Sequence, residues 1–273
     1  MPELPEVETI RRTLVGHVAG RTIETLEVRW PGALLGWQDS EFIDIVQGLM
    51  IEGIARRGKY LLIALKQGWT LIAHMRMTGR LLYYAQPEPA EKHTHVVFRF
   101  DQGELHFNDV RKFGRILVVP TDEQMLIPSL ARLGPEPLEV GFTPTVLYQR
   151  LAGKKRPIKA ALLDQNVVAG LGNIYTDEAL FLARLNPSRT AQSLNEKEIQ
   201  VLHGAIVTVL QAGIEAQGTS FRDYRDANGE KGAFQEALQV YGRANEPCQA
   251  CGRPLTKSRL SGRTTVFCPE CQH

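Results

Sequence analysis

Four cysteines, Cys248, Cys251, Cys268 and Cys271, fall within the last 26 residues of a 273-residue chain and nowhere else. They are spaced C-x2-C, sixteen residues, C-x2-C. Each pair makes a knuckle that turns two thiolates to one side, and a hairpin of the intervening residues brings the knuckles together around one tetrahedral Zn2+. Two disulfides or free thiols are the alternative. Four sulfur ligands leave zinc no open position for water, so one structural ion is expected, although the same thiolates also suit iron. Between the cysteine pairs lie Arg253, Lys257, Arg259 and Arg263 and no acid. A hairpin of one charge sign suits phosphate. Zinc ribbons also bind proteins, and a solvated basic surface needs no ligand at all.

The rest of the chain is ordinary in bulk. With 43% hydrophobic and 23% charged residues it has the composition of a globular protein. A net charge of +2 means that any nucleic-acid role must rest on local clusters. The most apolar region, YLLIALKQGWTLIAHM, is broken by Lys66, Gln67 and Gly68, which read as a turn between strands. Arg11 and Arg12 follow a glutamate-rich start, so there is no signal-peptide core. A cytoplasmic protein without membrane contact is expected.

Apolar residues Val7, Ile10, Leu14 and Val18 predict a helix over residues 5–18 that begins at Pro5. Residues 22–119 read as seven or eight short strands, with FDQGEL as a hairpin turn, which predicts an antiparallel sandwich or barrel. RLGPEPLEVGFTP reads as a linker. Beyond it the chain is helical, and Ser193 with Glu196 predicts a capping box for the longest helix. Residues 218–234 are polar and glycine-containing, and read as a mobile loop.

Two further clusters carry chemistry. GKKRPIKAALLDQNVVAGLGNIY holds Lys154, Lys155, Arg156 and Lys159 ahead of a turn in which Gly170 and Gly172 permit positive φ, with Asn173 opening the next helix. A DNA-binding helix-turn-helix and an ordinary helical hairpin fit equally. In HMRMTGRL and FNDVRKFGR, Met77 and Phe113 accompany Arg111. Locally these two fit a core better; on exposed loops, apolar wedges beside an arginine suit insertion between bases. One question stays open on residue chemistry alone: why Pro2 and Glu3 precede the helix.

The segments PELPEVET, RRGKYL, DVRKFG, LGPEPL, LLDQNVVAGLGNIY, QVYGR and the paired C-x2-C motifs run in order from residue 2 to residue 271. Together they resemble the formamidopyrimidine-DNA glycosylase family, bacterial enzymes that remove oxidised purines. Leu4 favours this branch over the related endonuclease VIII enzymes, which begin Pro-Glu-Gly-Pro-Glu and prefer oxidised pyrimidines. The resemblance implies an α+β multidomain fold. Its parts are an N-terminal β-sandwich with a catalytic helix (1–133), a helix–two-turn–helix domain with a lesion-capping loop (134–235; loop 217–235) and a C-terminal zinc-finger β-hairpin (236–273). Duplex DNA would lie, bent, in the cleft between the halves.

The resemblance also answers the question of Pro2. Once Met1 is removed, Pro2 is a secondary α-amine with a pKa of about 8, able to attack C1′ of a deoxyribose and form a Schiff base. Glu3 is implied as general acid/base and Glu6 as a supporting residue. Lys59 matches the proton donor in β-elimination, and Arg263 the hairpin arginine implicated in δ-elimination. His93, Arg111, Lys154 and Asn173 match DNA contacts. Met77, Arg111 and Phe113 match the group that fills the gap left by an extruded nucleotide, which reverses the local reading of Met77 and Phe113. A monomeric, nucleoid-associated repair enzyme with one Zn2+ is expected, acting on double-stranded DNA that contains an oxidised base. The alternatives are a pyrimidine-specific relative, a non-catalytic zinc-ribbon DNA-binding protein and a tautomerase with an N-terminal proline base.

Overall fold

Val7, Ile10, Leu14 and Val18 lie along helix α1 (Leu4–Val18) and are fully buried in this computed structural model, which describes residues 1–221 and 223–273. The helix starts one residue earlier than its proline suggests, with Glu3 as the N-cap and Pro5 in the first turn. Glu3 N–H donates to Glu6 Oε2 at 2.8 Å, one half of a capping box. That bond satisfies a backbone donor which a start at Pro5 would leave outside the helix.

The strands of the first unit form two sheets. In chain order they are β1 (Ile23–Val28), β2 (Leu34–Leu35), β3 (Ile51–Arg57), β4 (Tyr60–Leu65), β5 (Trp69–His74), β6 (Gly79–Tyr84), β7 (Thr94–Phe100), β8 (Glu104–Asp109) and β9 (Arg115–Pro120). One sheet runs β1-β7-β8-β6, all antiparallel. The other runs β2-β9-β5-β4-β3, antiparallel except for the short β2–β9 pair. Apolar residues of both sheets, among them Ile63, Leu71 and Ile116 from one and Leu81, Phe98 and Leu105 from the other, share one buried cluster with α1. This is a sandwich. FDQGEL makes the β7–β8 hairpin, closed by Phe100 N–H on Gly103 O. One element departs from the all-strand reading: helix α2 (Asp39–Val46) buries Phe42 and Val46. Two anchors one turn apart are too few to show a helical period.

The first unit comprises Met1–Ala131 and Ala216–Ala233, and the second Arg132–Glu215 and Phe234–His273. Helix α3 (Pro128–Ala131) ends the first stretch. The second unit holds α4 (Pro144–Leu151), α5 (Ile158–Leu162), α6 (Asn173–Leu182), α7 (Glu196–Glu215) and the hairpin β10 (Thr256–Leu260)–β11 (Arg263–Phe267). The expected linker is docked rather than loose: Gly134 N–H donates to Gln165 O and Ala169 N–H to Pro135 O. The capping box of α7 belongs to a different pair. Asn195 Oδ1 accepts from Glu198 N–H at 3.0 Å, and Glu198 Oε2 from Asn195 N–H at 2.9 Å. Ser193 lies in a preceding turn and donates its hydroxyl to Thr190 O instead.

The polar segment expected to be a mobile loop of the helical part packs within the first unit. Ala227 is fully buried, and its N–H reaches Thr13 Oγ1 while its carbonyl accepts from Tyr83 N–H. The buried Asp226 carboxylate holds the N–H groups of Asn228 and Glu230. Arg222 of this segment lies outside the described residues.

Candidate active site and DNA-contact surfaces

In the first unit two buried carboxylates stand at the start of α1. Glu3 is 3% exposed and Glu6 2%. Glu6 Oε2 accepts from Glu3 N–H, and Glu6 Oε1 accepts from Thr219 N–H at 2.7 Å. One side chain thus ties the residue beside Pro2 to the 216–233 segment. Gly218 sits against it with φ +86, and a Cβ there would lie 2.9 Å from Glu6 Cγ. The Tyr224 hydroxyl reaches Glu6 O at 3.4 Å. Burial, with Glu6 close by, raises the Tyr224 pKa, so it stays a neutral donor. Pro2 is buried, and with Met1 joined to it its nitrogen is an amide.

Lys59 shares the β3–β4 turn with Gly58 and is 5% exposed, unlike an ordinary surface lysine. Arg56 Nη1 donates to Gly58 O at 3.0 Å, and Arg56 Nε faces Glu8 Oε2 at 3.4 Å. Glu8 also pairs with Arg11 and Arg12 at 2.7 and 2.8 Å. The Lys59 turn is therefore held to α1 through one buried carboxylate. His74 lies near Lys59: burial first, then the charges of Arg76 and Lys59, push its pKa down to about 3, so it is neutral at physiological pH.

Glu8 gives a pH prediction. Burial alone would raise its pKa, but the arginines outweigh it and the carboxyl falls from 4.5 to about 2. A depressed acid stabilises the fold above its unfolded pKa and loses that contribution as pH falls through the folded one. Glu8→Gln should flatten the loss of stability between pH 4.5 and about 2, a contribution on the order of 2 kcal/mol, read by urea titration at stepped pH.

Met77 and Phe113, which fit a core locally, are 41% and 45% exposed. Met77 sits on the β5–β6 loop, Arg111 and Phe113 on the β8–β9 loop. Arg111 Nη1 lies 3.1 Å from Met77 Sδ, and its guanidinium carbon 4.7 Å from the Phe113 ring centre. The three form one exposed cluster. His93, half-buried in the turn before β7, accepts Asp109 N–H on its carbonyl.

In the second unit, Arg263 is exposed and closes the β10–β11 turn opposite Leu260. Ser261 and Gly262 both have positive φ, the geometry of a type I′ hairpin. Cys248, Cys251, Cys268 and Cys271 carry no disulfide, and their sulfurs lie within 4.8 Å of one another. Zn–S bonds of about 2.3 Å set tetrahedral sulfurs roughly 3.8 Å apart, so the four fit one closed Zn2+ site. Asn173 opens α6, and its Nδ2 donates to Thr264 O at 3.0 Å. Gly170 has φ +85, but Gly172 is extended, contrary to expectation, because it serves as the N-cap. Lys154 is half-buried between α4 and α5, and its carbonyl accepts Gln192 N–H.

Lys159 does not belong to an exposed basic cluster. It is fully buried, 2.6 Å from Asp177 Oδ1, and donates to Thr264 O and Thr265 Oγ1. Asp177 Oδ2 accepts from Val266 N–H in turn. Burial raises the Asp177 pKa and Lys159 opposes the rise. Arg156 is likewise paired, with Asp164. Removing one partner of a buried pair strands the other charge, so Lys159→Met should cost about 3–5 kcal/mol, and adding Asp177→Leu should recover most of it. Chemical denaturation of both variants checks this.

Three family models account for most of the chain. They are the formamidopyrimidine-DNA glycosylase N-terminal domain over residues 1–116, the H2TH domain of the same enzymes over 133–225, and the zinc finger found in FPG and IleRS over 245–273. The chain belongs to the formamidopyrimidine-DNA glycosylase family. A formamidopyrimidine-DNA glycosylase of Desulfitobacterium hafniense is 60% identical, with both chains covered completely. Among solved structures, a Lactococcus lactis FPG mutant in complex with Fapy-dG-containing DNA superposes with a TM-score of 0.94 at 39% identity, again over both whole chains. The wild-type L. lactis FPG in complex with DNA containing an oxidised pyrimidine matches at 0.93 and 39%, also over both whole chains.

For a formamidopyrimidine-DNA glycosylase family member, residue chemistry alone had missed Thr219, Glu8 and Asp177. Thr219 reaches Glu6 and Glu8 reaches Arg56 across long stretches of chain, although the Glu8 pairs with Arg11 and Arg12 are local. Asp177 had a signal: an acid on the inward face of an apolar helix needs a buried partner.

Proposed function

We propose that the protein is a bifunctional DNA glycosylase and AP lyase of base-excision repair that removes oxidised purines, 8-oxoguanine and formamidopyrimidines, from duplex DNA. The observation that carries the reading is the buried Glu3–Glu6 pair beside Pro2, tied by Glu6 to the Thr219 amide. With Met1 removed, the Pro2 amine attacks C1′ and the base leaves, giving a Schiff base between Pro2 and the opened sugar. Glu3 exchanges protons during ring opening, and a buried acid is suited to that work. Lys59, buried in the β3–β4 turn, serves as proton donor in β-elimination. Arg263 holds the phosphate for δ-elimination, and His93, Arg111, Lys154 and Asn173 contact the DNA backbone. Met77, Arg111 and Phe113 enter the base stack as the damaged nucleotide turns out. The Zn2+ held by the four cysteines fixes the hairpin and supplies no reacting group, because four thiolates close its coordination.

The matched relatives are bacterial, and no helix among the described residues is long and apolar enough to cross a membrane. We place the protein in the cytoplasm, on the nucleoid, as a monomer. Borohydride trapping on a duplex carrying one 8-oxoguanine, followed by mass spectrometry of the linked peptide, tests the reading. A cross-link at Pro2 supports it; a cross-link at a lysine overturns the nucleophile. The L. lactis complex with oxidised-pyrimidine DNA keeps pyrimidine lesions as a second substrate class. Parallel cleavage of 8-oxoguanine and thymine glycol duplexes ranks the two.

A further inference from the structure

Both loops of the exposed Met77–Arg111–Phe113 cluster are crossings between the two sheets of the sandwich. The β5–β6 loop passes from the five-stranded to the four-stranded sheet, and the β8–β9 loop passes back. Gly79, the first residue of β6, pairs with Asp109, the last of β8, so both crossings leave from one point. At that point Asp109 is fully buried.

Its carboxylate is saturated. Oδ1 accepts from the Thr78 hydroxyl and from Arg111 N–H at 3.1 Å; Oδ2 accepts from Phe113 N–H at 2.7 Å and Gly114 N–H at 2.6 Å. Its main chain is engaged too, donating to His93 O at 2.9 Å and accepting from His95 Nε2 at 2.7 Å. Two carboxylate oxygens offer about four acceptor sites, and four donors fill them. Between Arg111 and Phe113, Lys112 takes φ +58, a backbone state that a loop without such restraint seldom holds. Thr78, next to Met77, is 8% exposed and also accepts from Arg111 N–H at 3.3 Å, so its hydroxyl links the two loops.

We propose that Asp109 is a positioning residue that holds Met77, Arg111 and Phe113 as one preformed wedge, with the Thr78 hydroxyl coupling the Met77 loop to it. The inference rests on the reading of the protein as a lesion-extruding glycosylase. Opening a base stack costs a few kcal/mol, and a wedge that must first order itself adds to that cost. Asp109 then controls entry into the duplex without touching DNA. An asparagine cannot replace it: its amide keeps one acceptor oxygen and turns two donors toward N–H groups.

The test uses zinc-loaded, Met1-free protein and two 8-oxoguanine duplexes, one with the lesion paired to cytosine and 2-aminopurine beside it, the other with the lesion already unstacked in a bulge. Thr78→Val keeps side-chain shape and removes the donor. It should lower kcat/KM on the paired lesion about 10- to 100-fold and suppress the 2-aminopurine fluorescence rise, while leaving the bulged lesion near the wild-type rate. Thr78→Ser should restore most of both signals. Asp109→Asn, if folded, should exceed Thr78→Val on the paired duplex. Wild-type cleavage and fluorescence from folded Thr78→Val would overturn the inference. An equal loss on both duplexes would overturn it too, since Thr78 would then serve the chemistry or the fold at large. A wild-type protein that cuts neither duplex would overturn the glycosylase reading, and this inference with it.

Discussion

Protein that retains Met1 will bind lesion-containing DNA yet form no borohydride-trapped adduct and cut no strand. The argument is one of electronic state. An amide nitrogen gives its lone pair to the carbonyl, whereas a free α-amine titrates at about 8 and is partly unprotonated at neutral pH. Pro2 is buried beside Glu3 and Glu6, so the change from amide to amine happens inside a prepared site. Cleavage should fall to background, while affinity measured by fluorescence anisotropy changes by less than the cleavage rate. Blocking aminopeptidase processing, or adding one residue ahead of Pro2, provides the sample. Full cleavage by a chain whose Met1 is verified by mass spectrometry would remove Pro2 as nucleophile.

Removal of zinc has the second largest expected effect. Cys248 and Cys268 are buried, and the small cluster around them contains Val240, Leu255 and Val266. Five residues of that size cannot hold a hairpin together. Binding energies of structural zinc sites, about 10–16 kcal/mol, are energies of folding. Chelation, or Cys268→Ser, should therefore unfold β10–β11, and with it the Lys159 and Asn173 contacts to Thr264 and Thr265. Expected results are protease cleavage between residues 245 and 273, loss of DNA binding, and an unchanged melting signal from Trp30, Trp37 and Trp69, which all lie in the first unit. DNA affinity that survives full chelation would exclude the hairpin from the DNA-contact surface.

The parts legible in the sequence were those written in local periodicity or fixed spacing. Val7 to Val18 repeat at helical intervals, the strands alternate between turn residues, and the cysteines carry their ligand geometry in their spacing. The misread parts depend on partners far along the chain. Lys159 sits among cations in the sequence, but its partner Asp177 lies on the next helix and its other acceptors on β11. Composition reports the cations and not the fold that pairs them. Met77 and Phe113 fit a core by residue type, and become exposed because both loops cross between sheets. Ser193 and Asn195 both carry capping side chains with a glutamate three residues on; a turn claims the first, so the helix starts after the second.

The segment Ala216–Ala233 leaves and rejoins the main path through a narrow neck. Ala233 N–H bonds to Ala216 O, and Gly232 lies so close to the start of the segment that a Cβ on it would collide with Gly218 O. A stretch whose ends already touch is a cassette. It can be lengthened, shortened or exchanged with little strain at its anchors, since doubling a loop's length costs only about 0.6 kcal/mol in closure entropy. Grafting the corresponding stretch from a relative between Ala216 and Ala233, with Thr219, Tyr224 and Ala227 kept beside Gly218 and Gly232, would exchange the rest of the cassette while its contacts to Glu6, Thr13 and Tyr83 stay in place.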